Sequence, residues 1–193
     1  MFELIQLIIL FFVLFDPFAS LAAFFAATEL MSHSEKKRVA FYAILVAGLL
    51  SFGTLLFGEK LLVLFHTNIS DFRIAGGLIL IILGVRMSLG YALTNIDNSR
   101  KERSIHAIAA LIATPLLTGP AVMTATIVLK YDYGISLTAM ALIAVLSVTW
   151  MMFNNSQKIY NLFGKETIKV ITTFFGLITI SWGIGFLRAA IGF

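Results

Sequence analysis

Apolar residues run along this chain in six long blocks separated by short polar stretches, at residues 4–31, 39–57, 72–93, 105–129, 134–153 and 167–191. A helix crossing the hydrocarbon of a bilayer needs about 20 apolar residues, each rising 1.5 Å. The pattern therefore predicts six transmembrane helices. The first block is long enough to need a tilt or a break. The apolar piece 61–65 is too short to span, and is expected to extend the second helix or lie at the interface.

The polar stretches orient the blocks. Lys36, Lys37 and Arg38 follow the first, Arg86, Arg100, Lys101 and Arg103 surround the link from third to fourth, and Lys158, Lys165 and Lys169 surround the link from fifth to sixth. These are ten of the 14 basic residues, all on one side; Lys60, Arg73, Lys130 and Arg188 fall on the other. The positive-inside rule puts the larger set in the cytoplasm and both termini outside, in the cytoplasmic (inner) membrane.

Composition agrees with this reading. Hydrophobic residues make up 60% of the 193 and charged residues 12%, with a mean hydropathy of +0.98. Soluble domains are about half apolar and a quarter charged, so the solvent here is the bilayer and a single membrane domain is expected. The first block has no basic stretch before it and opens with Phe2 and Glu3. It reads as a retained span, although the small residues at 19–23 resemble a cleavage site. The net charge of +4 forms no basic stripe interleaved with aromatics, so no nucleic acid is expected. There is no cysteine, and His33, His66 and His106 lie far apart near block ends, so neither metal nor cofactor is expected.

The three prolines, Pro17, Pro115 and Pro120, all fall inside the first and fourth blocks. A proline in a helix interior removes one hydrogen bond and clashes one turn back, costing about 3 kcal/mol. In lipid the freed carbonyls persist only against protein or a wet cavity. Asp16 lies about 18 Å into its block and Thr114 about 14 Å into its own, so both breaks sit well inside the bilayer. They are about a hundred residues and three spans apart, and Gly76-Gly77 in the third block has a counterpart in Gly176 of the sixth at a similar offset. A repeat with an odd number of spans must insert its second copy upside down. The pattern therefore predicts an all-α polytopic fold of two inverted three-helix repeats, residues 1–95 and 104–193, with the first and fourth helices broken near midmembrane. The plainer alternative is that the prolines only kink their helices.

Each X-Pro unit resembles a helix start, since proline suits the first helical position. Asp16 and Thr114 are good caps before Pro17 and Pro115, and Gly119 is an acceptable one before Pro120. Asp16 is the one acidic residue deep in a block; an intramembrane carboxylate is a functional candidate by default, with pure capping as its structural alternative. The candidate substrate-binding set is Asp16, Pro17, Phe18, Ser20, Thr114, Thr118, Gly119, Pro120 and Ala121, with Asp16 also a candidate for coupling to an ion. Thr124 is equally able to bond backbone one turn back, and the glycines of blocks three and six suit close helix packing.

At these motifs the chain resembles the MarC family of integral membrane proteins, which includes the SnatA small neutral amino-acid transporters. The resemblance rests on Phe15-Asp16-Pro17-Phe18, on Phe72-Arg73-Ile74-Ala75-Gly76-Gly77, and on Thr114-Pro115-Leu116-Leu117-Thr118-Gly119-Pro120. It implies six spans in two inverted repeats, with a small amino acid such as glycine or alanine held at the broken helices and driven by a cation gradient. Two departures lie at this site: Ala19-Ser20 stands where the family commonly has Gly-Asn, and Ala121 where it often has Gly.

The functional expectation is a secondary transporter of small neutral amino acids coupled to a sodium ion or a proton. A channel or passive exporter of a small polar solute is the alternative. An enzyme is not expected: an intramembrane protease would want paired Asp residues or a Ser–His couple, and no Gly-x-x-x-x-Gly-Lys loop for ATP is present. The expected partners are the solute, the lipid bilayer and the coupling ion. Self-association as a homo-oligomer stays open.

Overall fold

The computed structural model describes residues 2–64, 66–90 and 104–192, with the side chain of Pro115 outside that set. The end of the third block, the proposed boundary between repeats, and Arg100, Lys101 and Arg103 therefore lie outside the described residues. Everything described is helical or a connection between helices: α1 (Phe2–Phe15), α2 (Pro17–Ala27), α3 (His33–Leu64), α4 (Ile69–Ser88), α5 (Ile105–Leu111), a wide turn (Ile112–Leu117), α6 (Pro120–Asn154) and α7 (Ser156–Ala190).

Among the described residues, four units are long and apolar enough to cross a membrane: Phe2–Ala27, His33–Leu64, Pro120–Asn154 and Ser156–Ala190. The remaining two blocks are accounted for differently. α4 has 20 residues, but Asp71, Arg73 and Arg86 sit near its ends. α5 is only 7 residues long, and completes a crossing only together with the wide turn and the start of α6.

α6 has 35 residues, about 52 Å at helical rise and far more than the ~30 Å of hydrocarbon. It bends back at Gly134, where φ is 83° and ψ 166°, a conformation that glycine alone adopts without strain. Contacts along α3 show the reversal. Thr118 meets Ala47, Ile127 faces Gly58 and Lys130 pairs with Glu59, so limb 120–133 runs parallel to α3. Leu146 then lies against Gly48, and Trp150 shares a groove with Phe41, so limb 135–154 runs back antiparallel to it. α7 bends in the same way at Gly164 (φ 70°), separating limb 156–163 from the long limb 165–190. The six predicted blocks thus become six rods, and the bends are placed by glycine.

The most intimate packing joins α4 to α7. A methyl group added at Gly77 would meet the Gly183 carbonyl at 2.7 Å, and one at Gly84 would meet the Gly176 carbonyl at 2.5 Å; the reverse contacts are as short. Four glycines in two rows let the backbones touch, which is how helices associate when lipid removes the hydrophobic drive between them. Elsewhere Phe11, Phe15, Leu21, Phe24, Ala43, Ala47, Leu117, Leu142 and Phe153 form a fully buried core, while Leu49, Ile82, Met151 and Val170 face outward.

Gly84→Val and Gly176→Val should each destabilise the folded protein by about 1–3 kcal/mol or more through overpacking. Gly185→Ala, where nothing lies within 4 Å of the added methyl, should leave stability unchanged or slightly raised. Unfolding midpoints in detergent micelles check this; equal midpoints for all three variants would mean that the seam does not hold α4 to α7.

Candidate functional site

The first break is built residue by residue from Pro17. Its missing N–H would have bonded the Val13 carbonyl; the Asp16 amide takes that carbonyl instead, at 3.2 Å. To do so Asp16 adopts φ 38°, ψ 69°, a left-handed conformation that Asp tolerates better than most side chains. Its carboxylate then caps α2, with Oδ1 accepting the Ala19 amide at 3.2 Å. The Phe15 carbonyl, orphaned at the end of α1, receives the Ser20 hydroxyl at 3.2 Å. Thr172 of α7 reaches across to donate to Asp16 Oδ1 at 3.4 Å. Asp16 is 1% exposed, and its second oxygen, Oδ2, has no partner among the described residues.

The second break is organised differently from the sequence-based expectation. Thr114 interrupts the helix, and only the single turn Pro115–Leu117 follows before Thr118 leaves helical geometry. Thr114 is extended (φ −140°, ψ 119°) and exposed rather than capping, and residues 112–117 form a wide turn closed by the Thr118 amide on the Ala113 carbonyl at 2.8 Å. Helix resumes only at Pro120, behind Gly119 as a cap with no side-chain bond. Pro115 and Pro120 each lack a donor, and the extra residue of the wide turn absorbs the lost register. Gly119 and Ala121 are buried and Pro120 is exposed. The Thr118 hydroxyl bonds the Ala47 carbonyl of α3 at 3.2 Å, tying the break to its neighbour.

The candidate residues are therefore partly gathered. Asp16, Pro17, Ser20, Thr118, Gly119 and Ala121 are buried and Phe18 is half-buried, whereas Thr114 and Pro120 turn outward. The wide turn packs on α2, so the two breaks are neighbours, although no hydrogen bond joins their side chains. Thr124 bonds the Pro120 carbonyl one turn back, the packing role its spacing allowed. Two polar residues were missed. Thr172 lies on an unbroken stretch of α7 and carries no local signal. Ser51, fully buried one turn beyond Ala47, has a hydroxyl with no partner among the described residues.

Each end of the fold carries its own set of side-chain contacts. At the end opposite the main basic cluster, Lys130 pairs with Glu59 at 2.9 Å and Arg73 pairs with Asp132, with the Arg73 guanidinium 5.8 Å from the Tyr131 ring. At the basic end Phe24, one turn beyond Ser20, stacks on Phe153 with ring centroids 4.7 Å apart, and Phe25 stacks on Tyr160 at 4.2 Å. Phe12, Phe18, Phe163 and Phe175 form an edge-to-face cluster around the first break.

The sequence profile described as MarC family integral membrane protein matches residues 1–192. The chain belongs to the MarC family. It is similar to the UPF0056 membrane protein BU267 of Buchnera aphidicola, 28% identical over 187 residues covering 93% of this chain and 87% of that protein. It is likewise similar to MJ1677 of Methanocaldococcus jannaschii, 29% identical over 86% of this chain and 85% of the other. For YhcE of Escherichia coli the identity is 27%, over 93% of this chain and 87% of the relative. No solved structure matches. This MarC protein is accordingly an integral membrane protein, with the bilayer as its partner.

Thr172→Val should cost about 0.5–1 kcal/mol, the range for hydrogen bonds between membrane helices. Combined with Asp16→Asn it should cost less than the sum of the two single losses. Strict additivity in a double-mutant cycle would mean that α7 does not hold Asp16.

Proposed function

We propose that this MarC protein is a secondary transporter of small neutral amino acids of the glycine or alanine type, coupled to a sodium or proton gradient. The observation that carries the proposal is Asp16: a fully buried carboxylate at a helix break, gripped from α7 and left with one oxygen free. Pure capping needs only the one oxygen that meets Ala19. A free oxygen at the first break and the start of α6, which no side chain caps, at the second supply the opposite polarities that a zwitterion requires. The substrate carboxylate is assigned to the amides at Ala121 and Val122, where the α6 dipole is positive. The ammonium, or the coupling cation, is assigned to Asp16.

The two sets of end contacts give the proposal its gates. Ion pairs lie at one end and stacked aromatics at the other, so access alternates when one set parts while the other holds. An inverted repeat is the matching architecture. Gly77 and Gly84 recur at a constant offset of 99 as Gly176 and Gly183, and the contact between Gly77 and Gly183 transforms under that offset into the contact between Gly176 and Gly84. Asp16-Pro17 with Ser20 recurs at an offset of 98 as Thr114-Pro115 with Thr118. In this reading residues 1–95 and 104–193 are the two repeats, the basic end faces the cytoplasm, and both termini lie outside.

Reconstituted into vesicles with imposed sodium or proton gradients, the protein should accumulate labelled alanine. Glycine and serine should compete, whereas ethylamine and acetate, each lacking one end of the zwitterion, should not. Asp16→Asn keeps a good cap, and should insert normally while losing gradient-driven uptake by tenfold or more. Uptake that stops at equal concentrations would make the protein a channel or passive exporter. Undiminished uptake by Asp16→Asn would reduce Asp16 to a cap.

A further inference from the structure

The outer surface of α3 carries a feature that solute transport does not use. Between α3 and limb 135–154 runs an apolar groove of about 590 Å³, lined by Phe41, Leu45, Leu49, Phe52, Ile143 and Leu146, with Gly48 as its floor. Its one hydroxyl, Ser147, is satisfied by the Ile143 carbonyl at 2.7 Å, so away from Trp150 at its end the groove asks for no polar partner. From Phe41 to Phe52 it is about 16 Å long, roughly half of the ~30 Å hydrocarbon core and hence the depth of one leaflet.

At its basic end the groove runs into a polar cavity, and Trp150 lines both. This cavity, of about 810 Å³, is walled by His33, Lys36, Lys37, Asn154, Asn155 and Lys158. The ion pairs among the described residues are Arg73–Asp132 and Lys130–Glu59, so no described carboxylate neutralises these three lysines. Asn154 and Asn155 each spend one amide hydrogen on a carbonyl of the preceding turn and keep the other. A second basic pocket, lined by Lys37, Arg38 and His106, adjoins the same groove through Phe41. Basic clusters at the inner end of membrane helices attract anionic headgroups, and a tryptophan at the junction suits the headgroup level.

We propose that this face binds an anionic glycerophospholipid of the leaflet on the basic side, with its phosphate among Lys36, Lys37 and Lys158 and one acyl chain in the groove over Gly48. The continuity of groove and cavity selects an amphiphile over a free anion, which would have no use for the groove. The groove opens on the outer surface of α3, whereas Asp16 and Thr118 are buried, and the proposal does not depend on transport.

The test is native mass spectrometry of the purified full chain, titrated in detergent with phosphatidylglycerol or phosphatidylcholine of identical acyl chains. Wild type should retain phosphatidylglycerol at least fivefold more than phosphatidylcholine. Replacing Lys36, Lys37 and Lys158 with Gln should abolish that preference, each single change lowering it by roughly fivefold or less. Gly48→Leu should reduce retention of both lipids by filling the groove. Gly48→Ala, whose methyl would meet Leu146 at an ordinary 3.7 Å, should retain lipid as wild type does and controls for folding. Equal retention of the two lipids by wild type overturns the proposal. So does an undiminished preference in the triple variant, and so does displacement of the lipid by millimolar inorganic phosphate, which would mark a free-anion site.

Discussion

Inside a bilayer no water is present to receive a backbone group that a helix fails to satisfy, and each orphan costs several kcal/mol. This membrane protein interrupts two of its apolar helices, and the surrounding structure is arranged to seal the interruptions. At the first, the Asp16 amide, the Asp16 carboxylate and the Ser20 hydroxyl take up the Val13 carbonyl, the Ala19 amide and the Phe15 carbonyl in turn. At the second, a wide turn closes on Ala113 and Thr118 is anchored on α3. The seals draw on α3 and α7 as well as on the broken rods, and this fixes which helices must neighbour which. Among the described residues, one oxygen of Asp16, the Ser51 hydroxyl and, at the far end, Arg73 Nε stay buried without a partner, polarity that the fold itself does not consume.

Much of this was legible in the amino-acid order, because its causes are local. Length and hydropathy give the rods. Pro17 with Asp16 before it specifies a broken and capped helix, as found. Glycines in blocks three and six mark close packing, and they are where α4 and α7 touch. The second break was located but its shape was not. Thr114-Pro115 has the form of a cap and first turn, yet with Pro120 five residues on, two missing donors fall close together and a wide turn absorbs both. Thr114 accordingly turns outward.

Other features have no local cause and could not be read. Thr172 is one threonine among several in the last span; only the packing of α7 against α2 makes it a partner of Asp16. The pairing of Arg73 with Asp132 and of Lys130 with Glu59 joins positions 59 and 71 residues apart in the chain. It engages two of the four basic residues found opposite the main basic cluster, each with a carboxylate from another helix or limb.

The distance in sequence between Asp16 and Thr172 has a consequence for biogenesis. Asp16 leaves the ribosome 156 residues before the threonine that holds it, an interval of roughly 8–30 s at 5–20 residues per second. Through that interval the first span carries a carboxylate supported only from its own helix, a side chain that translocation machinery tolerates poorly at midmembrane. Release of this span into lipid is therefore best delayed until α7 arrives, which makes the last helix the one that completes the first.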